Sequence, residues 1–319
     1  MTAAAAVRAF TASGGPFPYA PVLDEYLRHG KHRVSPDLLA ALAGCSYDPV
    51  LVGVLLDKFD QRYDYRSYLA LPLLDRAPGD RERLVALLLD DAIAFEEASG
   101  LDVHKRVRHL RRARPPLAVT PTAAERLLLR CTMLPVDTEH DERMFIRVLQ
   151  AFELTFAQIV TDLSAMTPAA LHLAAARLRS RTPLWSALAT MSVEAFQRFR
   201  RHTEGASAIQ SRHYKLMESL ARRPAPARLA SAAYLSVPEV RARVQAGGPT
   251  IDTALPHAHA AKADFAEALT QWRRTHYRVA VRMLGPDRAG TGDTAGTPYL
   301  AEARSIPVFT DRARCPLRE

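Results

Sequence analysis

Apolar residues recur at i, i+3, i+4 and i+7 through Arg81 to Ser99, Thr122 to Cys131, Asp141 to Leu163 and Pro168 to Leu178. That spacing places one stripe of a 3.6-residue helix against a core. Helix-start signals stand ahead of several stretches: Thr120-Pro121 before Ala123, Thr167-Pro168 before an Ala/Leu run, and Ser192 three residues before Ala195. Period-2 runs of β-branched residues bounded by turns do not occur. The pattern predicts an all-α protein. Breaks are expected at Ala12 to Pro18, Arg112 to Pro121, Arg222 to Arg228, Gly247 to Pro256 and Gly285 to Gly296, where proline and glycine gather. No internal repeat is evident.

At 319 residues, with 48% hydrophobic and 24% charged side chains, the chain has the composition of a globular protein. A single domain of this size can bury a large core. No run of 18 apolar residues occurs, and Met1 to Ala6 followed by Val7-Arg8 lacks the build of a secretory leader, so no membrane span is expected. Cys45, Cys131 and Cys315 stand far apart with no CxxC pair, which argues against a disulfide framework and suits a cytoplasmic setting. The net charge of +9, from 43 Lys+Arg against 34 Asp+Glu, is mostly arginine spread over amphipathic segments. Its densest cluster, His104 to Arg114 (HKRVRHLRRAR), lacks aromatic or glycine interleaving. It reads as the charged face of a helix and not as a nucleic-acid patch. His257-Ala258-His259 has no third ligand at metal spacing, and no GxSxG, Walker or dinucleotide fingerprint is present.

Three stretches carry candidate chemistry. In Asp141 to Leu154 (DERMFIRVLQAFEL), a helix puts Phe145, Leu149 and Phe152 on one face with Ile146 and Glu153 beside it. In Val193 to Arg200, Phe196 and Arg200 lie four apart, so an aromatic ring and a guanidinium share one side of a helix. Guanidinium binds a carboxylate through two parallel hydrogen bonds, so the pair suits an aromatic amino acid, although in isolation a surface helix with an arginine is the commoner explanation. The third runs from Trp272 through His276 to Gly285 and on to a glycine-rich stretch, Gly290-Thr291-Gly292-Asp293-Thr294-Ala295-Gly296. Such a loop offers backbone N–H groups and a threonine hydroxyl to an anion, or merely turns the chain.

Taken together and in order, these stretches resemble the tryptophan 2,3-dioxygenase superfamily of histidine-ligated heme enzymes. The family pattern DExxFIxxHQxxELW is met by DERMFIRVLQAFELT, and TM…FxxFR…ASGFQSxQ(Y/F)R by TMSVEAFQRFRRHTEGASAIQSRHYK. The H…miG…GTGGSSGxxYL ending is met by HYRVAVRMLG…GTGDTAGTPYL, and Tyr65 to Leu71 looks like the family's YxxYLxL segment. The resemblance implies a helical bundle of this family's type with an extended N-terminal helical region. The expectation is a single domain in which residues 1–140 elaborate the N-terminus, 141–300 form the heme and substrate core, and 301–319 are a tail.

The implied roles follow position by position. His276 matches the axial ligand of a heme b iron. Arg200 matches the substrate-carboxylate arginine, Phe196 the aromatic residue against the substrate ring, and Thr291 the loop threonine over the amino-acid head. Tyr65 falls in the segment that reaches the substrate pocket. Ser207 lies at the serine beside the heme, and Lys215 replaces an arginine near a heme propionate, keeping charge but losing the bidentate fork. A branch of the superfamily attaches heme through the cysteine of an HxxxC sequence. Cys315 stands there, but residue 311 is Asp, so an unpaired thiol is the preferred reading and a covalent link the alternative.

The departures shape the functional expectation. Leu149 occupies the place of the dioxygenases' distal histidine and neither accepts a proton nor hydrogen-bonds. Thr155, Ala208, Ile209, Asp293 and Ala295 also differ from the pattern. The expectation is a heme-dependent oxygenase, using dioxygen or hydrogen peroxide, that hydroxylates the ring of a free tyrosine- or tryptophan-type amino acid in natural-product biosynthesis. It is expected to work as a homo-oligomer. The alternatives are tryptophan 2,3-dioxygenation to N-formylkynurenine and a non-catalytic heme-binding scaffold.

Overall fold

The computed structural model describes residues 1–57, 65–203, 210–230, 232–286 and 296–310. Among these there are helices and no strand. Four helices come first: α1 (Ala3–Ser13), α2 (Tyr19–His29), α3 (Pro36–Ala43) and α4 (Pro49–Leu56). The middle of the chain holds α5 (Tyr65–Tyr68), α6 (Leu71–Asp75), α7 (Arg81–Ala98), α8 (His104–Ala113), α9 (Ala123–Cys131), α10 (His140–Ser164), α11 (Pro168–Arg181), α12 (Pro183–Leu188) and α13 (Val193–Thr203). The remainder comprises α14 (Arg212–Ala221), α15 (Pro226–Leu229), α16 (Ala232–Leu235), α17 (Pro238–Ala246), α18 (Ile251–Ala254), α19 (His259–Leu284) and α20 (Thr297–Ser305).

α10 is the axle of the bundle. Phe145, Leu149 and Phe152 do share a face, and α7, α11, α13 and α14 pack around the helix. By length and apolar composition α10 could cross a membrane, yet 83% of its apolar window is buried inside the fold, as in the core helix of a globular domain. α19 crosses α11 and carries α13 and α20 on its flanks. The main core therefore draws on Tyr65 to Phe309. A second core, built from Ala3 to Leu55, reaches Ala70, Leu73, Cys131 and Leu134.

The N-terminal segment closes on the chain before α10 at Gly30, whose φ of 73° belongs to glycine. A Cβ there would lie 2.7 Å from the Val136 carbonyl oxygen. Next to it Lys31 N–H donates to the Pro135 carbonyl at 2.7 Å and His32 N–H to that of Val136 at 3.1 Å. The loop that launches α10 is thus clamped from the N-terminal side.

The helix starts obey capping chemistry. Thr167 Oγ accepts from Ala170 N–H at 3.2 Å, and Ser192 Oγ from Ala195 N–H at 2.9 Å. Before Ala123 the cap is Thr122 and not Thr120: its hydroxyl accepts from Glu125 N–H while Glu125 answers to Thr122 N–H, a reciprocal box that outcompetes the earlier threonine. The breaks expected at Arg222 to Arg228 and Gly247 to Pro256 are interrupted by α15 and α18, single turns started by Pro226 and by Thr250. Along His104 to Arg114 the charged face holds one exception, the buried Arg106. It binds both Glu96 oxygens at 3.0 Å, Asp141 at 2.7 Å and Thr190 at 2.9 Å.

Candidate active site

α10, α13, α14 and α19 enclose a cavity of about 240 Å3. Tyr65, Leu149, Phe196, Arg200, Lys215 and His276 all line it, so six positions singled out in the sequence meet in one place. Ser207, Thr291 and Cys315 lie outside the described residues. Tyr65 and Tyr68 reach the cavity from α5 of the same chain.

One wall is aromatic. α19 presents Trp272 and, one turn on, His276; α12 presents Trp185. The His276 ring stacks on Trp185 with centroids 4.5 Å apart and planes 14° from parallel, and Trp272 is 5.4 Å away. Phe152 touches both tryptophans, at 4.7 and 5.7 Å. Desolvation pushes His276 down to about 4, so the imidazole is neutral and keeps a lone pair at neutral pH. Among the described residues no hydrogen bond reaches this ring.

A second part of the lining is charged. Lys215 on α14, Arg228 on α15 and Arg273 on α19 gather around the Glu218 carboxylate, all three bases nearly buried. Arg273 donates to Glu218 at 2.8 Å, to the Tyr214 hydroxyl at 3.0 Å and to the Ile306 carbonyl at 2.8 Å. Arg228 lies 3.4 Å from the same Glu218 oxygen and 5.6 Å from the centre of the Tyr234 ring. Burial, with Arg228 adding to it, pushes Lys215 down to about 8. Basic side chains gathered on a cavity wall are the kind of group that holds a ligand's carboxylates.

α13 brings Phe196 and Arg200 onto the cavity, with Phe196 edge-on to Phe145 at 5.8 Å. On α10, Leu149 and Glu153 follow one another by a turn and both line the space. The Tyr65 hydroxyl donates to Glu153 Oε1 at 3.1 Å. Burial and the neighbouring Glu153 raise Tyr65 well above its ordinary value, so it stays a donor.

Sequence reasoning missed Trp185, Arg228, Glu218 and Arg273. Glu218 follows Lys215 by three residues on one helix and Trp272 precedes His276 by four, and both spacings were readable. The rest needs the packing of α12, α14 and α15 on α19.

Among the described residues no group of three or more His, Cys, Asp or Glu side chains is placed to hold a metal ion. A metal at His276 would have to bring most of its ligands with it. A neutral imidazole on an apolar wall, with the basic side chains of Lys215, Arg228 and Arg273 on the same cavity, is a donor set that fits an iron porphyrin with its two carboxylates.

No protein-family model matches the chain. It is 27% identical to the tryptophan 2,3-dioxygenase of Anaeromyxobacter sp. (strain K), over 56% of this chain and 87% of that protein. It is 28% identical, with the same coverage, to the tryptophan 2,3-dioxygenase of Anaeromyxobacter dehalogenans (strain 2CP-C). With the ordered motifs on α10, α13 and α19, these likenesses support membership of the tryptophan 2,3-dioxygenase superfamily.

Proposed function

We propose that the protein is a heme-dependent oxygenase of a free aromatic L-amino acid, and that it inserts one oxygen atom into the ring. The observation that carries this reading is the cavity itself, in which a neutral imidazole faces aromatic walls and an arginine-bearing helix closes the side. His276 would hold the iron, and Lys215, Arg228 and Arg273 the carboxylates of the porphyrin. When bound, heme supplies the activation of dioxygen or peroxide that no amino-acid side chain provides.

The chain's own residues then do the positioning. Arg200 holds the substrate carboxylate, Phe196 and Phe145 flank its ring, and Thr291 is assigned to the amino-acid head by its place in the glycine-rich motif. Leu149, Phe152 and the tryptophans keep water out, which strengthens each polar contact inside. Residues 1–140 and 301–319 are read as elaborations of this single helical domain, and a homo-oligomer is the proposed assembly.

Single insertion is preferred because the apolar Leu149 stands where the dioxygenases place a distal histidine. The curated relatives, both named tryptophan 2,3-dioxygenase, favour the second reading, cleavage of the indole ring of tryptophan with two oxygen atoms incorporated. Absorption spectra of the purified protein with and without tyrosine and tryptophan should show a heme Soret band that shifts with substrate. Mass spectrometry of the product decides between the readings: a gain of one oxygen atom is expected, and a gain of two from tryptophan would overturn hydroxylation.

A further inference from the structure

A second cavity, of about 130 Å3, lies where α2, α7, α9 and α10 converge. No residue lines both this cavity and the larger one. The helical period explains the separation: Arg143 and Arg147 project from one side of α10, and Phe145, Leu149 and Phe152 from the other. Ala92, Leu129 and Met133 on the lining are buried, whereas Leu27, Phe95 and Arg143 are half-buried. Apart from Arg147, the deep lining is therefore apolar, and charge gathers toward the opening. An apolar hole of roughly 150 Å3 takes one benzene ring, so this cavity is close to ring size.

The charges on this lining are paired but for one. Arg147 gives Nε to Asp91 at 2.7 Å, and its other nitrogens donate to Thr132, Gln150 and the Leu129 carbonyl. Arg130 pairs with Asp24 at 3.1 Å. Arg143 makes no hydrogen bond or ion pair among the described residues. Its guanidinium carbon stands 4.6 Å from the centre of the Phe95 ring, itself on the cavity wall and held by stacking on His140 at 4.7 Å. A ring face supplies no lone pair, so the N–H donors of Arg143 stay available. Burial pulls Arg143 below its ordinary value, with Arg147 adding to this and Asp91 and Glu142 opposing it. A partly desolvated cation without a partner is the group that an anion satisfies.

We propose that this cavity is a ligand site of its own, which takes a small monocarboxylate with an apolar body the size of one ring. The carboxylate accepts from the Arg143 guanidinium at the opening, and the body fills the space against Ala92, Leu129 and Met133. The site draws neither on heme nor on the reading of the larger cavity as an amino-acid site.

The test is ligand-observed NMR titration of the purified protein with benzoate and with benzamide, which has the same outline and no charge. Benzoate should bind about ten- to a hundred-fold more tightly, the effect of a hydrogen bond to a charged group. Arg143→Met keeps the apolar stem and should bring the preference to within about threefold. Arg143→Lys, a point charge without the planar fork, should keep part of it. Arg143 is half-buried and has no partner to strand, so neither substitution should disturb the fold. Benzoate also fits the chemistry assigned to Arg200, so both titrations are repeated in Arg200→Ala, where the preference should persist. The proposal is overturned if benzoate does not bind or binds no better than benzamide. It is overturned equally if the preference survives in Arg143→Met, or if it vanishes in Arg200→Ala, which would seat benzoate in the larger cavity.

Discussion

His276 and Trp185 lie face to face, 4.5 Å between ring centres and 14° from parallel, although 91 positions separate them in the sequence. The stack fixes the imidazole plane on the cavity wall and leaves burial to keep the ring neutral. If His276 is the iron ligand, His276→Ala should lose heme or its native axial coordination. Titration of the purified variant with hemin, followed at the Soret band, checks this. A variant that retains full heme occupancy and an unchanged spectrum would sink the ligand assignment.

The same burial sets a pH dependence. In the unfolded chain His276 titrates near its ordinary value, about 6.5, and in the folded protein at about 4. Between these values the unfolded state binds the extra proton, so stability of the heme-free protein should fall as pH drops from about 6.5 to about 4. The loss should reach roughly 2–3 kcal/mol, the lower figure because the ring is only half-buried. Urea unfolding at pH 7, 6 and 5 measures it, and His276→Leu should flatten this part of the slope.

The parts of the site that were legible in the sequence lie close together along the chain. Phe145, Leu149 and Phe152 announce a face of α10 by spacing alone, and Phe196 and Arg200 do the same for α13. The cation cluster was not legible, because Lys215, Arg228 and Arg273 come from three helices that only packing on α19 brings to Glu218. Nor was the hydrogen bond that Glu153 accepts. Its sequence neighbours say that it borders an apolar stripe, but its partner, Tyr65, lies 88 residues earlier. The cap before Ala123 shows a subtler limit, since two threonines compete and only Thr122 has a glutamate at the reciprocal distance.

Arg106 anchors the α7–α8–α10 side of the bundle through a closed network. Glu96 is fully buried, and apart from Arg106 its carboxylate is met by His140 at 3.0 Å. Arg106→Met should leave that charge undercompensated and cost roughly 3–5 kcal/mol, as for other broken buried pairs. Denaturant unfolding reads the loss directly. A change below 1 kcal/mol would show that water or His140 alone satisfies Glu96.

Two glycines should respond in opposite directions to alanine. Gly30→Ala forces a side chain onto a φ of 73° and drives its Cβ into the Val136 and Asp137 backbone, a contact that cannot yield cheaply. A loss of at least about 2 kcal/mol is expected. Gly53 sits exposed in α4 with nothing near its missing Cβ. Gly53→Ala should gain about 0.5–1 kcal/mol through helix propensity. Thermal unfolding of the two variants side by side tests whether the clamp beneath α10 is as tight as its geometry implies.

Arg200 should fail differently from His276. It lines the cavity on α13, beside Phe196, whereas the imidazole belongs to α19, so removing its charge should spare the heme spectrum. Arg200→Ala should weaken binding of the amino-acid substrate about ten- to a hundred-fold, the effect of losing a charge-assisted bidentate contact of roughly 1.5–3 kcal/mol. Arg200→Lys should recover only part of this, because ammonium is a point charge without the planar fork. The comparison requires one further ligand, the decarboxylated amine of the same substrate. Arg200→Ala should barely change its affinity, since the carboxylate that Arg200 is assigned to hold is missing. Equal losses for the amino acid and its amine would place Arg200 in the structure of the cavity wall and deny it the carboxylate.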